Sequence, residues 1–151
     1  MSPFSCRYEI RHGDLSESLP GLVGAGPFDL IVSGYAIHHL PTARKRSLYR
    51  EVLDLLRPGG LFVNVEHVAS ATPDLEAVYD EAYIDHIVAV TGRDRTEMQR
   101  DYHSRPDKAD NILEPVEAQV GWLREMNFEH ADCYFKWLEL AVFGGQKPLG
   151  T

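Results

Sequence analysis

Phe28 to Val32 is a near-continuous apolar run, the pattern of a strand buried on both faces, as in a parallel sheet. Behind Pro41, the residues Leu48, Val52, Leu55 and Leu56 recur at helical spacing. They predict an amphipathic helix over 42–56, with proline opening its first turn. Arg57-Pro58-Gly59-Gly60 ends it, because proline cannot continue a helix and glycine accepts a positive φ. Leu61 to Val68 then reads as the next strand. Strand, helix and strand on short links make a right-handed crossover unit, which requires parallel strands.

Thr72-Pro73-Asp74 has the chemistry of a helix start, a hydroxyl cap followed by acids in the first turn. Leu75, Val78, Tyr79, Ala82 and Ile87 form its stripe to about residue 90. The charged stretch 91–110 predicts a helix of about two turns and a loop. A further helix is expected over Glu114 to Met126, with Val116, Val120, Leu123 and Met126 inward. Asn127 suits the left-handed cap that follows. Two strand candidates, near 130–136 and 138–144, are so close that they must form an antiparallel hairpin. Upstream, Arg7 to Arg11 is a short strand candidate that stops at His12-Gly13-Asp14. The expectation is one α/β domain over 1–151, its sheet mainly parallel with an antiparallel carboxy-terminal hairpin and helices on both faces.

Composition narrows the classes. At 151 residues, 44% hydrophobic and 25% charged, the chain suits one globular domain. No apolar run reaches the roughly 18 residues of a membrane span. There is no amino-terminal apolar region of the signal-peptide kind, so a cytoplasmic location is expected. Cys6 and Cys133 form no spaced motif and suit reduced thiols. Seven histidines occur without an H-E-x-x-H or C-x-x-C pattern, so no metal is expected. The formal charge of −8 disfavours nucleic acid as a general partner and makes a small-molecule substrate the expectation, RNA standing second. Arg44-Lys45-Arg46 reads as a solvated basic face.

Four ordered segments resemble class I S-adenosylmethionine-dependent methyltransferases. Phe28-Asp29-Leu30-Ile31-Val32-Ser33 through His38-His39-Leu40 is similar to the family's fourth strand and following loop. Leu56-Arg57-Pro58-Gly59-Gly60-Leu61 is similar to the turn before its fifth strand. His12-Gly13-Asp14-Leu15 resembles the end of its third strand, and Trp122 to Phe128 with Lys136 to Lys147 resembles the last helix and closing hairpin. Asn111, Glu117, Phe128 and Phe135 are also similar to the branch that modifies the tRNA wobble uridine with a carboxylated cofactor. The resemblance implies a Rossmann-like sheet of order 3-2-1-4-5-7-6, entered here just before strand 3. It follows that the glycine-rich cofactor turn is expected outside this chain, which would then be a truncated methyltransferase domain. Gly21 to Gly26 is glycine-rich but precedes a strand instead of following one. With strands 1 and 2 missing, strand 4 would present an open edge, closed by a second copy in a homo-oligomer or by strand 3.

In open α/β sheets ligands sit beyond the carboxyl ends of the strands. That rule selects Asp14-Leu15, Ser33 to His39 and Glu66-His67. By resemblance, S-adenosylmethionine is the cofactor: Asp14 accepts from its adenine, the Leu15 amide donates to the ring, and Ser33 and Gly34 face its methionine part. Tyr35 is expected on the methyl-transfer channel, and Glu66, His67 and Arg105 on the substrate side, with Tyr102 and His103 in the same charged segment. His38 or His39 is the candidate general base; as neighbours on an extended segment, at most one of them faces the site. The implied activity is methyl transfer to a small-molecule or RNA acceptor. The alternative is a non-catalytic binding protein that keeps the scaffold.

Overall fold

Strand β1 (Phe28–Gly34) leads through a 3-10 turn (Ile37–His39) into helix α2 (Thr42–Leu55) and strand β2 (Leu56–His67). A short helix α1 (Leu19–Val23) precedes them. Helices α3 (Pro73–Thr91), α4 (Arg95–His103) and α5 (Val116–Glu125) and the hairpin β3 (Glu129–Trp137) and β4 (Leu140–Gln146) follow. This computed structural model describes residues 8–106 and 110–150.

The four strands form one sheet in the order β1-β2-β4-β3. That is the 4-5-7-6 part of the order the resemblance implies. β1 and β2 pair in parallel, with Leu30 opposite Leu61 and Ser33 opposite Asn64. The other two pairings, β2 with β4 and β3 with β4, are antiparallel. The fold class is therefore mixed α/β, though the expected mainly parallel sheet has one parallel pair among the described residues.

The core lies on one face of that sheet. α2 contributes Leu48, Tyr49, Val52 and Leu53, and α5 contributes Val116, Val120, Trp122 and Leu123. The strands meet them with Phe62, Ala141 and Phe143. The Tyr49 ring packs 5.5 Å from Phe62, 6.4 Å from Trp122 and 6.5 Å from Phe143, so both helices lie on the same side. Burying each large side chain stabilises by roughly 1.5–3 kcal/mol. Gly144 makes the close packing of β4 on β2 possible, since a Cβ there would stand 2.0 Å from the Phe62 carbonyl.

Several local expectations change. Tyr8 to Arg11 forms no strand, and Arg7 and Cys6 lie outside the described residues. The β1 edge is thus not rejoined by that segment. β2 begins at Leu56, five residues early, because Leu56 pairs with Phe28 and the Pro-Gly-Gly turn is drawn into the sheet. Gly59, at φ 75, donates its N–H to the Lys147 carbonyl at 2.9 Å, and Lys147 returns a bond to Gly60. α5 starts after Pro115, later than expected. On α3 the buried residues are Asp80 and Ile84, whereas Val78 is 61% exposed. Its caps match expectation: the Thr72 hydroxyl accepts from the Leu75 N–H at 3.2 Å, and Gly92 is left-handed. Asn127 takes its left-handed place at φ 67.

Only Arg46 of the basic triplet is exposed, so the expected solvated basic face holds for that residue alone. Arg44 forms a two-pronged pair with Glu51 at 2.6 and 3.0 Å and donates to the Leu15 carbonyl at 2.9 Å. Lys45 is buried, at 1% exposure. Arg46 pairs with Glu125 and lies 5.3 Å over the Trp122 ring. Tertiary partners claimed all three side chains, an outcome that charge alone does not announce.

Candidate active site

The chain leaves β1 through Gly34 and turns at Tyr35, whose φ of 50 is unusual for a residue with a large side chain. The Tyr35 N–H donates to the Val65 carbonyl at 2.9 Å, which ties this turn to β2. Ile37 to His39 then wind into a 3-10 turn above the end of β2, where Glu66 points up from the covered face.

Glu66 is 1% exposed, and its carboxylate collects four donors. One oxygen accepts the backbone N–H groups of Ile37 at 3.0 Å and His38 at 3.1 Å. The other accepts the His67 N–H at 3.0 Å and faces His38 Nδ1 at 2.5 Å. An ionised carboxylate only accepts, so the His38 proton sits on Nδ1 and Nε2 keeps its lone pair. Burial pushes the His38 imidazole below its ordinary range; Glu66 opposes that shift, and His39 and His67 add to it. His38 is consequently a neutral imidazole around neutral pH, held in one tautomer.

Further bonds fix the histidine's backbone. The Ile112 N–H donates to the His38 carbonyl at 2.9 Å. Lys45 Nζ donates to the same carbonyl at 3.4 Å and to the Ile112 carbonyl. Burial lowers the Lys45 ammonium from its ordinary range, with Glu114 and Glu66 pulling it back up. Lys45 is a positioning residue that the sequence reading missed. Its one signal was an i, i+4 relation to Tyr49 on the buried side of α2.

His38 lines a cavity of about 390 Å³ beyond the carboxyl ends of β1 and β2. Tyr35 and His39 share its wall, His67 enters from β2, Tyr79, Asp80 and Tyr83 from α3, Tyr102 and Arg105 from α4 and the segment after it, and Glu139 from the hairpin turn. Both adjacent histidines face the cavity, with ring centroids 3.9 Å apart. A 3-10 turn, unlike a strand, does not alternate its side chains, and this corrects the expectation that at most one of them would do so. His39 donates to the Asp110 carbonyl at 3.3 Å and has no carboxylate behind it among the described residues. His67 donates from Nε2 to Glu139 at 3.1 Å, and Ser70 donates to the same carboxylate at 2.7 Å. Burial raises the Glu139 carboxyl, but these bonds hold it below its ordinary range.

The other sequence-selected residues stand apart from that lining. Glu66 serves His38 from behind. Asp14 accepts the Ser16 N–H at 2.8 Å, a turn bond that lowers its carboxyl, and stays exposed. Leu15 packs against the core. Ser33 and Gly34 lie just before the turn that carries Tyr35. The Ser33 Oγ is buried without a hydrogen-bond partner, and a side chain at Gly34 would meet nothing within 4 Å. An unspent hydroxyl beside open backbone fits the methionine end of the cofactor that the resemblance implies. The tyrosines of α3 and Asp80 went unread as site residues, Tyr79 having been counted in the apolar stripe of the helix.

Residues 3–64 match the family model described as a methyltransferase domain. No curated protein matches the chain in sequence. Among solved structures, an O-methyltransferase family protein from Burkholderia thailandensis aligns at TM-score 0.58 and 15% identity, covering 92% of this chain and 35% of its own. A structure of PigF with SAH gives 0.54 and 16%, covering 87% of this chain and 33% of that one. The CurJ carbon methyltransferase gives 0.54 and 18%, with 89% and 34% covered. The chain therefore spans about a third of the length of these structures. With the sheet order in hand, the chain shares the fold of these methyltransferase structures, and its amino-terminal segment matches the methyltransferase-domain model.

Proposed function

We propose that this protein transfers a methyl group from S-adenosylmethionine to an acceptor that must lose a proton, with His38 as general base and Glu66 as its positioning partner. The observation that carries this is the buried His38–Glu66 pair, 2.5 Å apart, on the wall of the cavity. The cofactor, when bound, supplies an activated methyl group. By the resemblance, Ser33, Gly34, Asp14 and the Leu15 amide would hold it. His38 takes the acceptor's proton on Nε2, and Glu66 stabilises the imidazolium that results. The walls from α3 and α4 orient the acceptor and exclude water, which lets a weakly acidic hydroxyl or carbon acid ionise next to the base.

The test is transfer of labelled methyl to hydroxylated aromatic acceptors. His38→Asn is expected to lower the rate by about 10²–10⁴-fold. His39→Asn, which leaves the Glu66 pair intact, is expected to cost less than about tenfold. Equal losses in both variants would remove the assignment. Donor binding is a separate measurement, made by calorimetry with the demethylated product. Binding of acceptors without donor binding or transfer would favour the non-catalytic reading.

A further inference from the structure

Arg105 differs from the other charged groups on the cavity wall. Asp80 accepts the Tyr102 hydroxyl at 2.5 Å, and Glu139 is taken by His67 and Ser70. The Arg105 guanidinium lies 4.3 Å over the Tyr102 ring and spends Nε on the Tyr102 carbonyl at 3.2 Å. No carboxylate among the described residues pairs with it. Its stem and plane are thus fixed, while the two terminal nitrogens keep their donors. A guanidinium held this way is suited to a planar anion such as a carboxylate.

Four tyrosines, Tyr35, Tyr79, Tyr83 and Tyr102, share the wall with Arg105. Tyr83 packs 5.5 Å from Tyr102 and 6.1 Å from Trp137. Tyr35 adds a half-exposed ring held on its positive φ. The buried Asn111 Oδ1 has no hydrogen-bond partner and can receive a donor. At about 390 Å³ the cavity is of small-molecule size.

Resting on the reading of this cavity as the acceptor site, we infer that the acceptor is an aromatic hydroxy acid. Its ring stacks on the tyrosine wall, its carboxylate meets Arg105, and its hydroxyl is turned to His38. The chain's net charge, formally −8, does not attract such an anion from a distance. Recognition must then come from Arg105 itself.

The experiment is calorimetric titration of the 151-residue chain, without methyl donor, with 3- and 4-hydroxybenzoate, phenol, tyramine and cyclohexanecarboxylate. At least one hydroxybenzoate is expected to bind about tenfold more tightly than phenol, tyramine or the non-planar acid. Arg105→Gln is expected to abolish that margin and leave phenol unchanged, and Arg105→Lys to restore part of it. Phenol or cyclohexanecarboxylate binding as tightly as both hydroxybenzoates, a preference for tyramine, or no binding at millimolar concentration would each overturn the inference. So would competitive displacement of hydroxybenzoate by the demethylated cofactor, which would make the cavity the donor site. If Arg105→Gln does not fold by circular dichroism, the probe series on the unaltered chain decides alone. His38→Asn is expected to keep the Arg105-dependent margin, so failure of the base assignment and failure of this inference are read in different measurements.

Discussion

Along β1 and β2, alternate residues point to opposite faces of the sheet, and the two faces have different fates. Ile31, Phe62, Asn64 and Glu66, with Ala141 and Phe143 beside them on β4, face α2 and α5 and are buried or nearly so. Leu30, Val32 and Leu61 point the other way and are 52%, 59% and 45% exposed. The bare face is the more uniformly aliphatic of the two. The covered face carries the polar groups, Asn64 and Glu66, that a simple hydrophobic reading would place outside. Apolar character thus does not say which face is core here. Contact with the two helices does, and the same contact strips water from Glu66 and makes it a strong partner for His38.

Perturbing the covered face is expected to have the largest effect. Phe143→Ala leaves a cavity between Tyr49 and the sheet and is expected to cost about 3–5 kcal/mol in chemical denaturation. A loss below about 1 kcal/mol would mean the face is less well packed than its burial implies. Glu66→Gln keeps the shape but replaces one acceptor oxygen with an amide donor, so that converging N–H groups are left unmatched. A destabilisation of about 1–3 kcal/mol is expected, together with a fall in methyl transfer that Gln cannot rescue.

The covered face also sets a pH dependence. The His38 pKa is held below 6.5 by burial, so below that pH the unfolded chain binds the proton more readily than the folded one. The stability is fully present above pH 6.5 and is lost as pH falls toward the folded value. Denaturation across that window is expected to show stability rising with pH, and His38→Asn to flatten the slope. A slope unchanged in the variant would assign it to other groups. The smallest effect belongs to the bare face, where Val32→Lys is expected to change stability by no more than about 0.5 kcal/mol. Whether β1 pairs with a second copy is read separately, by sedimentation: a loss of self-association in Val32→Lys would support it, since a charge on an edge strand opposes pairing.

The crossover unit was legible because its strand and helix periods are strong and its links short. The helix faces of α2 and α5 were read correctly from Val52, Leu55, Val120 and Leu123, all buried. The stripe of α3 was not: this helix packs mainly on α4 and over a cavity, so its inward side holds Asp80 and two tyrosines in place of a continuous apolar line. His38 and His39 were identified together as candidates, but nothing local ranks them. Glu66 lies 28 residues from His38, and a pair at that separation is invisible until β2 runs beside β1.

By itself, the sequence determined the order of the elements from β1 onward, the parallel pairing of β1 with β2, the closing hairpin, and the strand ends beside which the cavity lies. Those follow from periodicity, turn residues and link lengths, all local properties. Only the tertiary structure decided which sheet face is core, that Lys45 is buried and anchors the His38 segment, that both histidines face one cavity, and that Arg105 stands there with no carboxylate partner among the described residues. Each of those depends on groups distant in sequence meeting in a space from which water is excluded, where a hydrogen bond or a charge gains its effect from what surrounds it.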